Sequence, residues 1–199
     1  MQVIGKEVTE ELDYIPAKLF VRRYERKKYA CSKSHSGVVI PLLPERPIDK
    51  GLPGAGLLAQ VAVGKYSDHI PLYRQENIFD RHGYCINRST LCDWLGKTAL
   101  LLKPIVEAIE NYILLAKVVQ SDDTYIAVRD KGVADKNRRY YLWVYCIPWA
   151  EVVYDFTLSR SRDGPLNFLT EYNGFLQTDG YGGYNAVYQR GGITHLGCW

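Results

Sequence analysis

Two acidic positions set inside apolar, strand-like runs carry most of the chemistry in this sequence. The run Val118-Val119-Gln120-Ser121-Asp122-Asp123-Thr124-Tyr125-Ile126-Ala127-Val128 places carboxylates among β-branched residues, and Phe175-Leu176-Gln177-Thr178-Asp179-Gly180-Tyr181-Gly182-Gly183-Tyr184 does so again. Carboxylate oxygens are the hard ligands that Mg²⁺ prefers, and acids fixed on neighbouring strands can hold two such ions about 4 Å apart. That spacing clamps the attacking and leaving oxygens of a phosphoryl transfer. The competing reading is local, because an Asp at a strand end also serves as a turn or helix-capping residue. Successive side chains on a strand point to opposite faces, so only one of Asp122 and Asp123 can face a shared site.

Basic residues suggest what such a site would act on. Between Lys18 and Lys33 the bases Lys18, Arg22, Arg23, Arg26, Lys27, Lys28 and Lys33 stand against the single acid Glu25. Such a stretch can neutralise DNA phosphates, with Arg22, Arg23, Lys27 and Lys28 as contacts, or it can be a solvated strand face. Farther on, residues 71–81, His82-Gly83-Tyr84-Cys85-Ile86-Asn87 and Arg88-Ser89-Thr90-Leu91-Cys92-Asp93-Trp94-Leu95 read as helix, turn and capped helix. That is the outline of a helix-turn-helix, whose second helix would present Arg88, Ser89 and Thr90 to DNA. A plain helical hairpin with Trp94 and Leu95 in a core has the same outline. Arg160, Arg162 and Arg190 serve phosphates or only solvate loops. Asp179-Gly180-Tyr181-Gly182-Gly183 lacks the spacing of nucleotide-binding loops. Its small residues are read as letting the backbone turn sharply out of a strand.

Composition narrows the class. With 47% hydrophobic and 24% charged residues, the chain reads as an ordinary soluble protein able to bury a core. The 16 tyrosines fit β-rich packing, or stacking on bases. Cys31, Cys85, Cys92, Cys146 and Cys198 are scattered with no Cys-x-x-Cys pair, which argues against a disulfide framework and an intact zinc site. The first residues turn polar at once and no apolar run approaches the roughly 20 residues of a membrane span, so the chain is expected in the cytoplasm, away from membranes.

The elements that must position these residues fall into three parts, giving a multi-part α+β or α/β fold. Residues 1–45 read as a small β-rich module, with a strand over 14–24 and its partner at Lys28-Tyr29-Ala30. Residues 46–117 read as a proline- and glycine-rich linker, over 41–56, leading into a helical region. From 118 to 199 strands are expected at 118–128, 140–148 and 151–158, a helix at 164–172 started by Pro165, a strand at 175–179, a helix near 184–190 and a last strand at 193–198.

Several segments together resemble transposases of the insertion sequence 66 family. They are Glu11-Leu12-Asp13-Tyr14-Ile15-Pro16-Ala17-Lys18, Lys28-Tyr29-Ala30-Cys31, Arg46-Pro47-Ile48-Asp49-Lys50-Gly51-Leu52-Pro53-Gly54, and Lys65-Tyr66-Ser67-Asp68-His69-Ile70-Pro71-Leu72-Tyr73-Arg74-Gln75-Glu76. Arg88-Ser89-Thr90-Leu91-Cys92-Asp93-Trp94 and Leu176-Gln177-Thr178-Asp179-Gly180-Tyr181 complete the set. The resemblance implies a ribonuclease-H-like catalytic core of the DDE type, with the fourth strand parallel beside the first. It places the first catalytic aspartate on Asp122, within Gln120-Ser121-Asp122-Asp123-Thr124, and the second on Asp179, both as ligands of Mg²⁺ or Mn²⁺. Gln120 departs from the family's histidine, and Asp123 takes the place of a non-catalytic acid.

The third acid, a glutamate, would fall beyond residue 199, since Glu151 and Glu171 lie between the two aspartates. The resemblance thus implies DNA cleavage and strand transfer by a complete relative, with double-stranded DNA and further copies as partners. This chain, read as truncated, is expected to be inactive alone. The alternatives are a non-catalytic DNA-binding fragment and an inert remnant. The family's N-terminal zinc-binding module uses two cysteine pairs; Cys31 matches one member, Ser34 stands at its partner position, and His35 with Cys31 alone cannot close a tetrahedral site. Residues 1–45 are therefore expected to be a degenerate remnant of that module, with no zinc.

Overall fold

Pro47, Pro53 and Gly54 keep the chain irregular up to Ala55, where helix α1, Ala55–Tyr66, begins. The computed structural model describes residues 10–13, 17–30, 38–49, 51–128 and 139–198, and the chain divides into two compact units, Met1–Thr98 and Ala99–Trp199. In the first unit α1 is followed by α2, Leu72–Arg81, and the first turns of α3, Arg88–Leu114. Leu58 and Val61 of α1, Phe79 of α2, and Leu91 and Trp94 of α3 are buried together. The spacing of three residues between Leu58 and Val61, and between Leu91 and Trp94, is one that lines a single helix face. Ile48 joins this core, so the expected linker is anchored rather than free-running.

Gln75 is the polar member of that interior. Its amide donates to the carbonyls of Val61 and Ile70, each at 3.2 Å, which offsets the cost of burying it. Gly64 makes the approach possible, since a Cβ there would stand 3.1 Å from Gln75 Nε2. Helix α3 is one continuous helix that runs through Pro104. Proline interrupts a helix by lacking an N–H and crowding the carbonyl four residues earlier; Pro104 stands at an exposed position, where water can take the freed carbonyl.

The expected N-terminal strand is corrected. Residues 14–16 lie outside the described residues, and 17–28 form no strand. Tyr29–Ala30 (β1) instead pairs antiparallel with Val38–Val39 (β2). The reason is the lack of a surface to bury against: Leu19 packs on the helical core, while Phe20, Val21 and Tyr24 are exposed.

In the second unit β3 (Val118–Ala127), β4 (Arg139–Cys146) and β5 (Val152–Thr157) form an antiparallel meander. Helix α4 (Asp163–Phe168), with Pro165 in its first turn, leads to β6 (Gly174–Thr178), which lies parallel beside β3. A 3-10 turn, Gly182–Tyr184, and α5 (Asn185–Gln189) lead to β7 (Ile193–Gly197), parallel to β6. The sheet order is β5-β4-β3-β6-β7, a mixed α+β arrangement. Helix α4 stops short of the expected 172 because Leu169 and Tyr172 leave helical geometry to bury themselves, and the Tyr172 hydroxyl donates to the Phe175 carbonyl at 2.9 Å.

Val119, Trp143, Tyr145, Val153 and Leu176 project from one face of this sheet onto Leu169, Tyr172, Tyr184, Val187 and Ile113 of α3. Strand alternation leaves Val152, Tyr154 and Phe156 exposed on the other face. Among the described residues, no helix is long and apolar enough to cross a membrane.

Candidate functional site

Adjacent acids on β3 part company. Val119, Ser121 and Asp123 turn toward the packed face: Val119 and Ser121 are buried, and the Asp123 side chain is 4% exposed. Gln120 and Asp122 turn to the open face, and Asp122 is exposed. The two-residue period therefore assigns Asp122, not Asp123, to the cleft side.

The parallel pairing of β3 and β6 brings the second acid alongside. Gln120 and Gln177 are register partners, and Gln120 Nε2 donates to Gln177 Oε1 at 2.8 Å. Asp122 lies two residues beyond Gln120, and Asp179 two beyond Gln177. Asp179 follows directly on the last residue of β6, and the step of two turns each acid to the side of its own glutamine. A cleft of about 250 Å³ is lined by Asp122 and Asp179, with Gln120 and Gln177 behind them and Val144 and Cys146 to one side. Cys146 also reaches the Gln120 oxygen, Sγ to Oε1 3.6 Å, so the Gln120 side chain is held from both sides.

Each carboxylate is oriented by a backbone donor. The N–H of Asp123 meets Asp122 Oδ1 at 2.8 Å, and the N–H of Tyr181 meets Asp179 Oδ1 at 3.0 Å. Among the described residues, neither Oδ2 accepts a hydrogen bond. Two exposed carboxylates, each with an oxygen to spare, suit a hard divalent cation. Beneath them the hydroxyls are tied down: Ser121 pairs with Tyr184 at 2.9 Å, and Thr178 with Tyr188 at 2.6 Å. Burial pushes both tyrosine hydroxyls up from their ordinary range, so they remain neutral.

Arg160 has a partner that its sequence position does not announce. Its Nε and Nη2 form a two-pronged contact with the Asp123 carboxylate at 2.9–3.0 Å, and its guanidinium lies 3.9 Å from the Tyr181 ring centroid. The hydrogen bonds to Asp123 hold the guanidinium charged more firmly than usual. Arg190 donates to the Tyr172 carbonyl at 2.8 Å, while Arg162 is exposed. The glycine-rich loop also has a different reason from the one expected. Gly180 has open space around its Cβ position and no positive φ, whereas a Cβ at Gly183 would overlap the Tyr181 ring. Gly183→Ala is expected to cost about 1–3 kcal/mol, read as a lowered midpoint in denaturant, while Gly180→Ala is expected to be near neutral.

The residues expected to face DNA are placed as follows. Arg22, Arg23, Lys27 and Lys28 are exposed along an irregular stretch, and Lys33 lies outside the described residues. Arg88 and Ser89 are exposed on the first turn of α3 and Thr90 is half-buried. Glu76 accepts the Arg88 N–H at 3.2 Å and so caps α3 from α2. The connection between these helices is His82–Asn87, longer than the three or four residues of a usual helix-turn-helix, and Trp94 is buried in the helical core. Cys31, Ser34 and His35 lie outside the described residues. Among the described residues, no group of three or more histidines, cysteines or acids is arranged to hold a metal.

Comparison with known proteins meets this geometry from another side. The chain is 34% identical, over 96% of its length, to the uncharacterized protein y4jD of Sinorhizobium fredii, and 33% identical, over 99%, to the uncharacterized protein y4qI of the same organism. It spans 39% of the length of each. No solved structure matches it. The profile described as the zinc-finger binding domain of transposase IS66 matches residues 1–33, which bears against the expectation that no zinc is bound. The profile of the Transposase IS66 family matches residues 50–199, which include Asp122, Asp179 and the whole of the sheet, and the chain belongs to that family.

Proposed function

We propose that this chain is the DNA-binding and partial catalytic portion of an insertion-sequence transposase, in which Asp122 and Asp179 are the divalent-cation ligands for DNA cleavage and strand transfer. The observation that carries this is the pair of carboxylates, Asp122 on β3 and Asp179 just past the end of the parallel β6, lining one cleft. The order β5-β4-β3-β6-β7, with β6 parallel to β3, supports a ribonuclease-H-like core over 118–199. Residues 1–45 are proposed as the zinc-module remnant and 46–117 as the linker and helical DNA-facing region.

Mg²⁺ or Mn²⁺, when bound, supplies Lewis-acid activation of the attacking oxygen and stabilisation of the leaving one. The chain's own part is to present Asp122 and Asp179 with one oxygen each held by a backbone N–H, which fixes the direction of the other. Among the described residues, no glutamate lines the cleft. Two carboxylates by themselves hold a cation weakly, so the chain alone is proposed to lack strand-transfer activity; a cytoplasmic location and homo-oligomerisation with further transposase copies are proposed with it.

The test pairs DNA binding with strand transfer. Affinity for duplex DNA is expected to fall steeply with salt, and replacing Arg22 and Arg23 together by alanine should reduce the log–log salt slope by about two. No Mg²⁺- or Mn²⁺-dependent strand transfer is expected from the purified chain. Strand transfer abolished by Asp122→Ala would overturn the inactivity, and salt-insensitive or absent DNA binding would overturn the DNA-facing reading. Metal analysis of the purified chain decides the zinc question: no zinc is proposed, and one zinc per chain refutes it.

A further inference from the structure

Asp123 is the acid left out of the cleft, and its surroundings assign it a different task. We infer that Asp123, Arg160 and Tyr181 form a positioning relay that sets the carboxylate of Asp179 in the cleft it shares with Asp122. For its metal readout the inference rests on the proposed role of that cleft; its structural readout does not.

The relay starts from a buried charge. With 4% of its side chain exposed, Asp123 needs a hydrogen-bonded cation, and Arg160, itself 40% exposed, supplies one through two prongs at 2.9–3.0 Å. A planar fork on a carboxylate fixes the plane of the guanidinium as well as its position. That plane covers Tyr181 at 3.9 Å, and the Tyr181 hydroxyl donates to the carbonyl of Arg160 itself, so the tyrosine is gripped by one residue at ring and tip. Trp143 and Tyr184 close the other sides of the ring at centroid distances of 6.2 Å.

Tyr181 then passes the constraint on, because its backbone N–H holds Asp179 Oδ1 at 3.0 Å. Through these contacts the packed face of β3 controls a carboxylate on the open face. The two adjacent acids thus cooperate from opposite sides of one strand. Lysine at position 160 would restore the charge but neither the fork nor the stacking plane. Arg160 and Tyr181 are accordingly positioning residues.

Amide hydrogen exchange and Mn²⁺ binding, both on the whole chain, test the relay. Arg160→Lys and the charge-neutral pair Asp123→Asn with Arg160→Gln are compared with the unaltered chain; the pair avoids leaving a buried charge that unfolds the unit. Exchange at the Tyr181 amide is expected to accelerate about tenfold or more in both, with the amides of Val119 and Leu176 unchanged. Mn²⁺ affinity is expected to fall about ten- to a hundredfold, as it does when outer-shell partners of metal ligands are lost. Unchanged Tyr181 exchange in both variants overturns the relay. Accelerated exchange with undiminished Mn²⁺ affinity overturns its link to Asp179. Absence of Mn²⁺ binding by the unaltered chain overturns instead the metal reading of the cleft, and the exchange result alone then decides the relay.

Discussion

Trp143→Ala is expected to destabilise the sheet-bearing unit by about 3–5 kcal/mol, a large part of the roughly 5–15 kcal/mol that holds a domain folded. Trp143 has no solvent exposure and stands mid-sheet, register partner of Asp123 on β3 and of Asp155 on β5. Its ring meets Tyr184 edge-on at 5.7 Å, its indole N–H donates to Thr157 Oγ1 at 3.0 Å, and Gly164 packs against it so closely that a Cβ would stand 2.8 Å from Nε1. Loss of the ring opens a cavity among β-strands that cannot collapse without disturbing both neighbours. Trp143→Phe keeps an aromatic ring and leaves Thr157 its bond to the Ser159 carbonyl, so about 1–2 kcal/mol is expected. Denaturant titration of the two variants checks this, and equal losses would show that burial of the ring is not the source of the effect.

The neighbouring acids Asp122 and Asp123 are expected to fail in opposite ways. Asp122 is exposed and its carboxylate accepts the neighbouring Asp123 N–H, so Asp122→Ala should leave stability within about 0.5 kcal/mol of the original. It should nonetheless abolish Mn²⁺ binding, because half of the carboxylate pair is gone. Asp123→Ala removes the charged hydrogen bonds to Arg160 and should cost about 1.5–3 kcal/mol. The cost is limited because Arg160, 40% exposed, can turn to water once released. Mn²⁺ binding should survive in Asp123→Ala, weakened as far as Asp179 loses its orientation. Calorimetric titration with Mn²⁺ beside thermal unfolding separates the two; a reversal of the pattern would move the site to the packed face of β3.

The order of strands and helices over 118–199 was legible because each segment carries its own periodicity: β-branched residues at 118–127, aromatics alternating at 139–146, and Pro165 opening α4. The N-terminal stretch was not. Residues 17–24 have strand-like composition but lack a partner surface, and alternation alone says nothing about whether one exists. Nor does a linear reading settle that α3 runs unbroken through Pro104, which an exposed helix position tolerates.

What the sequence by itself determined was that the adjacent Asp122 and Asp123 would point to opposite faces of a strand, because side-chain alternation is local and needs no neighbour. The family resemblance pointed to Asp122. The tertiary structure alone decided the rest. Pairing of Gln120 with Gln177 helps bring acids 57 residues apart into one cleft. Arg160 meets Asp123 across 37 residues of chain, and its contact with Tyr181 turns a surface arginine into a structural one. Such contacts are invisible in a linear chain because register, burial and ring stacking depend on which strands become neighbours, a choice made by the packing of the whole core.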